Sequence, residues 1–282
     1  MQTAPETDMM DLHYQATADG FAEAARTFDE DEEGNILLLW MRERSARLMN
    51  QAFAPGGMLL ELGCGTGIEA SRLVAAGHRI VLTDVSAGML ERAVPKVSAV
   101  REKGLVGAHQ MPAAQIGTLV DRYGRAAFDG AYSSFGPLNC EPDPVPVAQG
   151  LAELIRPGGR VVLSVINRIC PAEVLWYALH LMPGTATRRL RGPALSSAVP
   201  GAAPSFLTYY YSPSDFTRAF SGSFRVLGCR ALPLILPPPY TAHVMRRFPR
   251  LFHLLGRLDD ALAALPVLRS MGDHFLMELE RM

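Results

Sequence analysis

A chain of 282 residues, 49% of them hydrophobic, can bury a substantial core but is short for two full domains, so one domain over 1–282 with insertions is expected. Its 27 basic and 28 acidic residues leave a formal charge of −1, which lends no support to a nucleic-acid or anionic-membrane partner. Cys64, Cys140, Cys170 and Cys229 are widely spaced and form no C-x-x-C pair, arguing against a zinc site or disulfide framework and for a reducing cytoplasm.

Residues 1–56 read as a helical cover. The opening MQTAPETDMMDLHYQ is acidic and lacks the apolar core of a secretory signal. From Ile36 to Phe53, Leu37, Trp40, Met41, Leu48 and Phe53 recur at helical spacings until Pro55-Gly56-Gly57 stops the segment. Met58–Leu62 is then a short apolar strand ending in a glycine cluster, followed by a helix from Ile68 to Ala76. Arg79–Asp84 is the next strand, and a helix from Ala87 to Glu102 is expected to be interrupted near Pro95. Phe128–Phe135 and Arg160–Ile166 are further strands, the second after Arg156-Pro157-Gly158-Gly159. Strand and helix alternate over 58–167, the pattern of a parallel sheet covered on both faces.

Beyond Ile166 the alternation fails. Residues 168–212 hold an apolar helix (Ala172–Met182), a basic patch (Arg188, Arg189, Arg191) and a Pro/Gly/Ser loop leading to Tyr209-Tyr210-Tyr211. Ser212-Pro213-Ser214-Asp215 looks like a helix start, and Phe224–Leu232 and His274–Glu280 like final strands. Between those strands, residues 233–270 form a second insertion with an amphipathic helix over Phe252–Leu265. The two insertions suit a substrate cap; extra packing is the alternative. The charge-free run Gly192–Ser214 is long enough to span a bilayer, but Pro193, Pro200 and Pro204 preclude a lipid-facing helix, so no integral membrane association is expected.

The informative run is Leu60-Glu61-Leu62-Gly63-Cys64-Gly65-Thr66-Gly67, between a strand and a helix whose free N–H groups face any ligand above the loop. Dinucleotide enzymes want G-x-G-x-x-G; here Ile68 takes the place of the third glycine, which comes one residue early as Gly67. Glu61 would repel a pyrophosphate, whereas a cofactor carrying an ammonium and a sulfonium welcomes an acid. The loop therefore favours S-adenosylmethionine over NAD. Asp84 ends the second strand about twenty residues on, where a carboxylate accepts both ribose hydroxyls of a nucleoside.

These residues resemble class I S-adenosylmethionine-dependent methyltransferases over roughly 10–167. Leu60–Gly67 resembles the family's first motif, Thr83-Asp84-Val85-Ser86 with Met89-Leu90 its continuation, and Phe128-Asp129-Gly130-Ala131 its fourth-strand motif. Ser134-Phe135-Gly136 with Asn139 is similar to ubiquinone/menaquinone C-methyltransferases, and Leu154-Ile155-Arg156-Pro157-Gly158-Gly159 to the turn before the fifth strand. The resemblance implies a Rossmann-like, doubly wound α/β sheet of seven strands, the last antiparallel, with helical cap insertions. It implies that Gly63, Cys64, Gly65 and Gly67 line the cofactor with Glu61 near its amino group. Asp84 would hold the ribose, Val85 and Met89 the adenine, and Ser134 would stand where the fourth strand opens. The family's acidic adenine contact has no counterpart in His109–Gln115, which leaves Ala114 or Gln115 for that role.

Methyl transfer needs alignment and exclusion of water more than catalytic side chains. His13-Tyr14 followed by Phe28-Asp29 resembles the family's cover over the cofactor, which makes Tyr14 a catalytic candidate, with a packing role equally open. Asn139 is a second candidate, with loop capping as its alternative. Among the histidines, His180 and His243 lie in the insertions and could act as bases, while His253 on its helix and His274, expected to open an edge strand, read as structural. No metal site is expected. The apolar, aromatic cap points to a small hydrophobic acceptor. An NAD-dependent oxidoreductase and a cofactor-binding protein without catalysis are the competing readings.

Overall fold

Near-continuous apolar runs, buried on both faces, build the central strands of the sheet. The structure, a computed structural model, describes residues 6–198, 203 and 205–282. Residues 1–5 of the acidic N-terminus, and Pro200 and Pro204 of the charge-free run, lie outside the described residues. Helices α1 (Glu6–Ala24), α2 (Phe28–Glu33) and α3 (Ile36–Ala52) precede the sheet. Asn35 caps α3, its side chain accepting from the Leu37 and Leu38 amides.

The alternating region follows as β1 (Met58–Leu62), α4 (Ile68–Ala75), β2 (Arg79–Asp84), α5 (Ala87–Val100), β3 (Leu105–Gln110), α6 (Val120–Tyr123), β4 (Phe128–Ser133), α7 (Val145–Leu154) and β5 (Ile155–Ile166). The remainder is α8 (Pro171–Leu179), α9 (Pro183–Ala186), β6 (Ala194–Ser196), β7 (Phe206–Thr208), α10 (Pro213–Phe220), β8 (Phe224–Leu232), α11 (Ala242–Arg246), α12 (Pro249–Leu262) and β9 (His274–Arg281). The seven-stranded sheet has the order β3-β2-β1-β4-β5-β9-β8. β1 to β5 are parallel, and β9 runs antiparallel between β5 and β8, as expected for the last strand.

Strand alternation divides the core between two faces. Leu60, Leu62, Val161 and Leu163 pack with Leu151 of α7 and Phe216 and Phe220 of α10. Leu59, Leu82, Tyr132 and Val162 pack with Trp40 and Met41 of α3, Leu73 of α4 and Ala93 and Val97 of α5. At α10 the expected start is a full capping box between Ser212 and Asp215.

Four readings change. α5 runs unbroken through Pro95, because that residue is exposed while Leu90, Ala93 and Val97 hold the helix to the sheet. Water can satisfy the carbonyl that Pro95 leaves without a donor. β5 begins at Ile155, paired with Phe128, and residues 156–159 bulge outward before Arg160 pairs with Gly130. Within the Pro/Gly/Ser loop, Ala194–Ser196 and Phe206–Thr208 pair as two short antiparallel strands. Finally, His274 opens an interior strand, not an edge; the edge beyond it is β8.

The two insertions pack differently. The described residues of 168–212 lean over the carboxyl ends of the parallel strands, where Phe206 of β7 meets Phe21 of α1 at 5.0 Å between ring centroids. Residues 233–270 lie against α3: Arg44 binds Asp260 at 2.7 Å, and buried Asp259 accepts from the amides of Leu234, Ile235 and Leu236.

Candidate functional site

In a parallel sheet the strands' carboxyl ends share one edge, and the crevice above it is where such folds hold ligands. Here that crevice is a cavity of about 620 Å³. Its floor is the turn after β1. Gly65 (φ +51°) has no atom nearer than Phe28 Cε1 at 3.9 Å to a would-be Cβ, so a side chain there would project into open space a ligand needs. A Cβ on Gly63 would fall 2.1 Å from Pro137 Cβ, so close approach of the β4 exit turn requires glycine.

Asp84 is the polar centre of this floor. Its Oδ2 accepts from Gly65 N at 2.8 Å and its Oδ1 from Ser86 N at 2.9 Å, tying the ends of β1 and β2 together. Burial pushes its carboxyl up to about 6 despite those donors. Val85, Met89 and Ser134 stand on the same wall, and Met111, Pro112 and Ala113 continue it. The N-terminal cover closes from above. Thr66 Oγ1 donates to Asp29 and Lys96 pairs with the same carboxylate, holding Phe28 over the glycine turn. Tyr14 Oη donates to Glu141 Oε2 at 2.6 Å, and Glu141 Oε1 accepts from Ala113 N at 2.7 Å. Burial first, and the Glu141 charge second, raise the Tyr14 phenol above its ordinary range.

The opposite wall is assembled from distant segments. Arg188, Arg189, Phe206, Tyr210 and His274 reach it. Arg189 is buried: Nη2 meets Asp273 Oδ1 at 2.6 Å and also Glu173 Oε2, and Nη1 donates to the carbonyls of Asn167 and Asp273. Arg188 joins Glu173 at 3.1 Å. Within the basic patch, Arg188 and Arg189 are thus neutralised by two buried carboxylates. Arg42, absent from the expected site, lies on the wall paired with Glu69 and stacks 4.9 Å over Phe135.

Of the expected cofactor residues, Gly63, Cys64, Gly65, Asp84, Val85, Met89 and Ser134 are brought together on the cavity wall. Gly67, Glu61 and Ala114 are not. A Cβ on Gly67 would lie 2.9 Å from Val97, so its place is helix-to-helix packing. Glu61 points beneath the floor, almost fully buried, with Oε2 unpartnered. Its carboxyl is raised well above the usual range by burial and by the neighbouring Glu69 charge. One residue before Ala114 in the same 3-10 turn, Ala113 takes the wall position.

Of the two catalytic candidates, Tyr14 faces the cavity and Asn139 does not. The Asn139 amide donates to the carbonyls of Ile166 and Tyr209 and accepts from Ile166 N, which fastens the β4 exit to the end of β5. His180 bonds its own helix at Trp176 O, and neither it nor His243 lines the cavity; residues 233–270 contribute nothing to its wall. Glu141 and His274 also line the cavity, though neither was among the expected site residues. Nothing local marks Glu141, and His274 was discounted through the mistaken edge position.

The Methyltransferase domain family matches residues 59–159. Over these residues the chain resembles class I S-adenosylmethionine-dependent methyltransferases. A demethylmenaquinone methyltransferase of Mycobacterium sp. (strain KMS) is 34% identical over 155 residues, covering 52% of this chain and 58% of that protein. A ubiquinone biosynthesis O-methyltransferase of Aeromonas salmonicida (strain A449) is 28% identical over 134 residues, 47% of this chain and 50% of its own. The chain thus spans little more than half the length of the curated relatives it matches. In fold it is similar to the Burkholderia thailandensis 1,6-didemethyltoxoflavin-N1-methyltransferase, solved with 1,6-didemethyltoxoflavin and S-adenosylhomocysteine. There the TM-score is 0.57 at 15% identity, over 100% of this chain and 92% of that one. Among the described residues no helix is long and apolar enough to cross a membrane.

Proposed function

We propose that this chain transfers the methyl group of S-adenosylmethionine to a small, hydrophobic or aromatic acceptor, and that 1–282 acts as one domain with its cover and insertions. The observation that carries the reading is the buried Asp84 carboxylate at the tip of β2, bonded to Gly65 and facing the cavity. Each of its oxygens keeps a lone pair for a ribose hydroxyl. Val85 and Met89 offer an apolar slot for adenine. Beneath the floor, Glu61 with its unpartnered Oε2 adds an acid that an ammonium above Gly63 would favour. The residues present therefore fit S-adenosylmethionine, which supplies an activated methyl on a sulfonium.

The chain's own part is to orient and enclose. Phe28 and Tyr14 cover the floor, and Phe21, Phe135, Phe206 and Tyr210 add aromatic surface to the rest of the cavity, which suits a flat hydrophobic acceptor. With Arg188 and Arg189 neutralised by Glu173 and Asp273, no uncompensated cation on that wall calls for an anionic acceptor. The relatives named for menaquinone and ubiquinone steps act on acceptors of this general kind by their names. Four unpaired thiols suit a reducing, cytoplasmic setting. An oxidoreductase reading is disfavoured by Ile68 and by antiparallel β9, since dinucleotide folds are built on parallel strands.

Calorimetric titration with S-adenosylhomocysteine, with NADH as control, tests the cofactor. Binding of the first alone is expected; binding of NADH instead would overturn the reading. A product assay with phenolic and quinol acceptors then separates an enzyme from a binding protein.

A further inference from the structure

An antiparallel last strand starts where the parallel strands end. His274, first in β9, is therefore set beside Ile166 at the same edge as Gly63, Asp84 and Ser134, and it lines the cavity. Its Nδ1 meets Asp273 Oδ2 at 3.0 Å, while its Nε2 makes no hydrogen bond to the described residues. Asp273 is itself fixed, through Oδ1 to Arg189 Nη2 at 2.6 Å, and Arg189 is held by Glu173. The Phe135 ring crosses the imidazole edge-on at 6.1 Å, limiting its rotation.

We propose that His274, oriented by Asp273, is the general base that takes the proton of a hydroxyl on an aromatic acceptor; this rests on the methyl-transfer reading above. The Asp273 carboxylate accepts from Nδ1–H, which leaves the lone pair on Nε2 and turns it toward the cavity. A phenol holds its proton at neutral pH, so its oxygen needs a base of histidine's strength as it attacks. As the oxygen bonds the methyl carbon, the carbon–sulfur electron pair stays with sulfur, giving a neutral thioether, and the hydroxyl proton passes to Nε2 and then to water.

Charged groups face the imidazole from several elements. From the preceding loop it faces Asp273, from the 3-10 turn before β6 Arg188 and Arg189, and from α8 Glu173. Beyond Phe135 stands the Arg42–Glu69 pair. Positive and negative members of this surround are equal in number.

The test uses the whole chain, S-adenosylhomocysteine and 4-nitrophenol, whose phenolate is read by its colour. Saturated with S-adenosylhomocysteine at a pH where the free phenol is largely protonated, the native protein is expected to raise the phenolate fraction of bound 4-nitrophenol. The imidazole NMR signal of His274 should report the proton gained. His274→Gln should lose that ionisation and about 10²-fold or more in turnover, yet bind S-adenosylhomocysteine as the native protein does. Asp273→Glu, which keeps the carboxylate, should retain part of the ionisation. Equal phenolate in native and His274→Gln proteins, or no ionisation by the native protein, would overturn the assignment of His274 alone. Absence of S-adenosylhomocysteine binding by the native protein would overturn the methyl-transfer reading and this inference with it.

Discussion

The glycine-loop wall comes from residues 63–65, 84–89 and 134–137, turns at the ends of three adjacent strands, each fixed by bonds to its neighbour. The arginine wall facing it draws Arg188, Arg189, Tyr210 and His274 from separate segments and depends on one ion cluster. The first wall inherits its geometry from the hydrogen-bonded sheet. The second must be held by side chains, at the cost of burying two carboxylates. Reading a nucleoside needs rigid backbone donors and one acid, whereas accommodating an acceptor needs a surface that can vary independently of the sheet.

Removing charge from each wall separates them. Arg189→Leu leaves Glu173 with a half-exposed partner and Asp273 without its strongest one. It should lower stability by about 3–5 kcal/mol in denaturant unfolding, and S-adenosylhomocysteine binding to whatever remains folded should persist. Loss of cofactor affinity without loss of stability would show that the walls are coupled. Asp84→Ala should act the other way, weakening S-adenosylhomocysteine by roughly 10²-fold through lost charge-assisted bonds, with the thermal midpoint little changed. Unchanged affinity would remove the ribose from β2.

Acidity sharpens the contrast. The folded-state pKa of Asp84 is raised to about 6 by burial, so over the interval from the ordinary carboxylate range up to 6 the unliganded protein loses stability from this group as pH rises. Ribose hydroxyls donate to the ionised form, so S-adenosylhomocysteine affinity should fall by up to about tenfold per pH unit below 6. Asp84→Asn should flatten that profile. The smallest effect expected is that of Tyr14→Phe, which removes a donor to Glu141: about 1 kcal/mol or less in cofactor affinity, with a larger fall in turnover. Equal turnover would return Tyr14 to packing the cover.

What was legible beforehand follows the same division. That Gly63, Gly65 and Asp84 share one wall was readable because a strand, a glycine turn and a helix N-terminus place them within one short stretch, where sequence distance and spatial distance agree; Val85 and Met89 followed from the family resemblance. Gly67 and Ala114 misled by one turn, since spacing alone does not tell which side of a turn faces the ligand. Asn139 misled because an amide beside a strand exit can cap backbone as readily as touch substrate, and here three backbone groups consume it.

The sequence by itself determined the alternating strands and helices and the glycine turn after β1, because hydrophobic period and glycine turns are local properties of the chain, while the antiparallel end followed from the family resemblance. Only the tertiary structure decided that Arg189 is buried, that Glu141 meets Tyr14, that residues 233–270 support α3 without reaching the cavity, and that His274 stands at the open edge. Each of these depends on strand order and direction, and on hydrogen bonds and ion pairs between residues 16 to 127 positions apart, which no local pattern encodes.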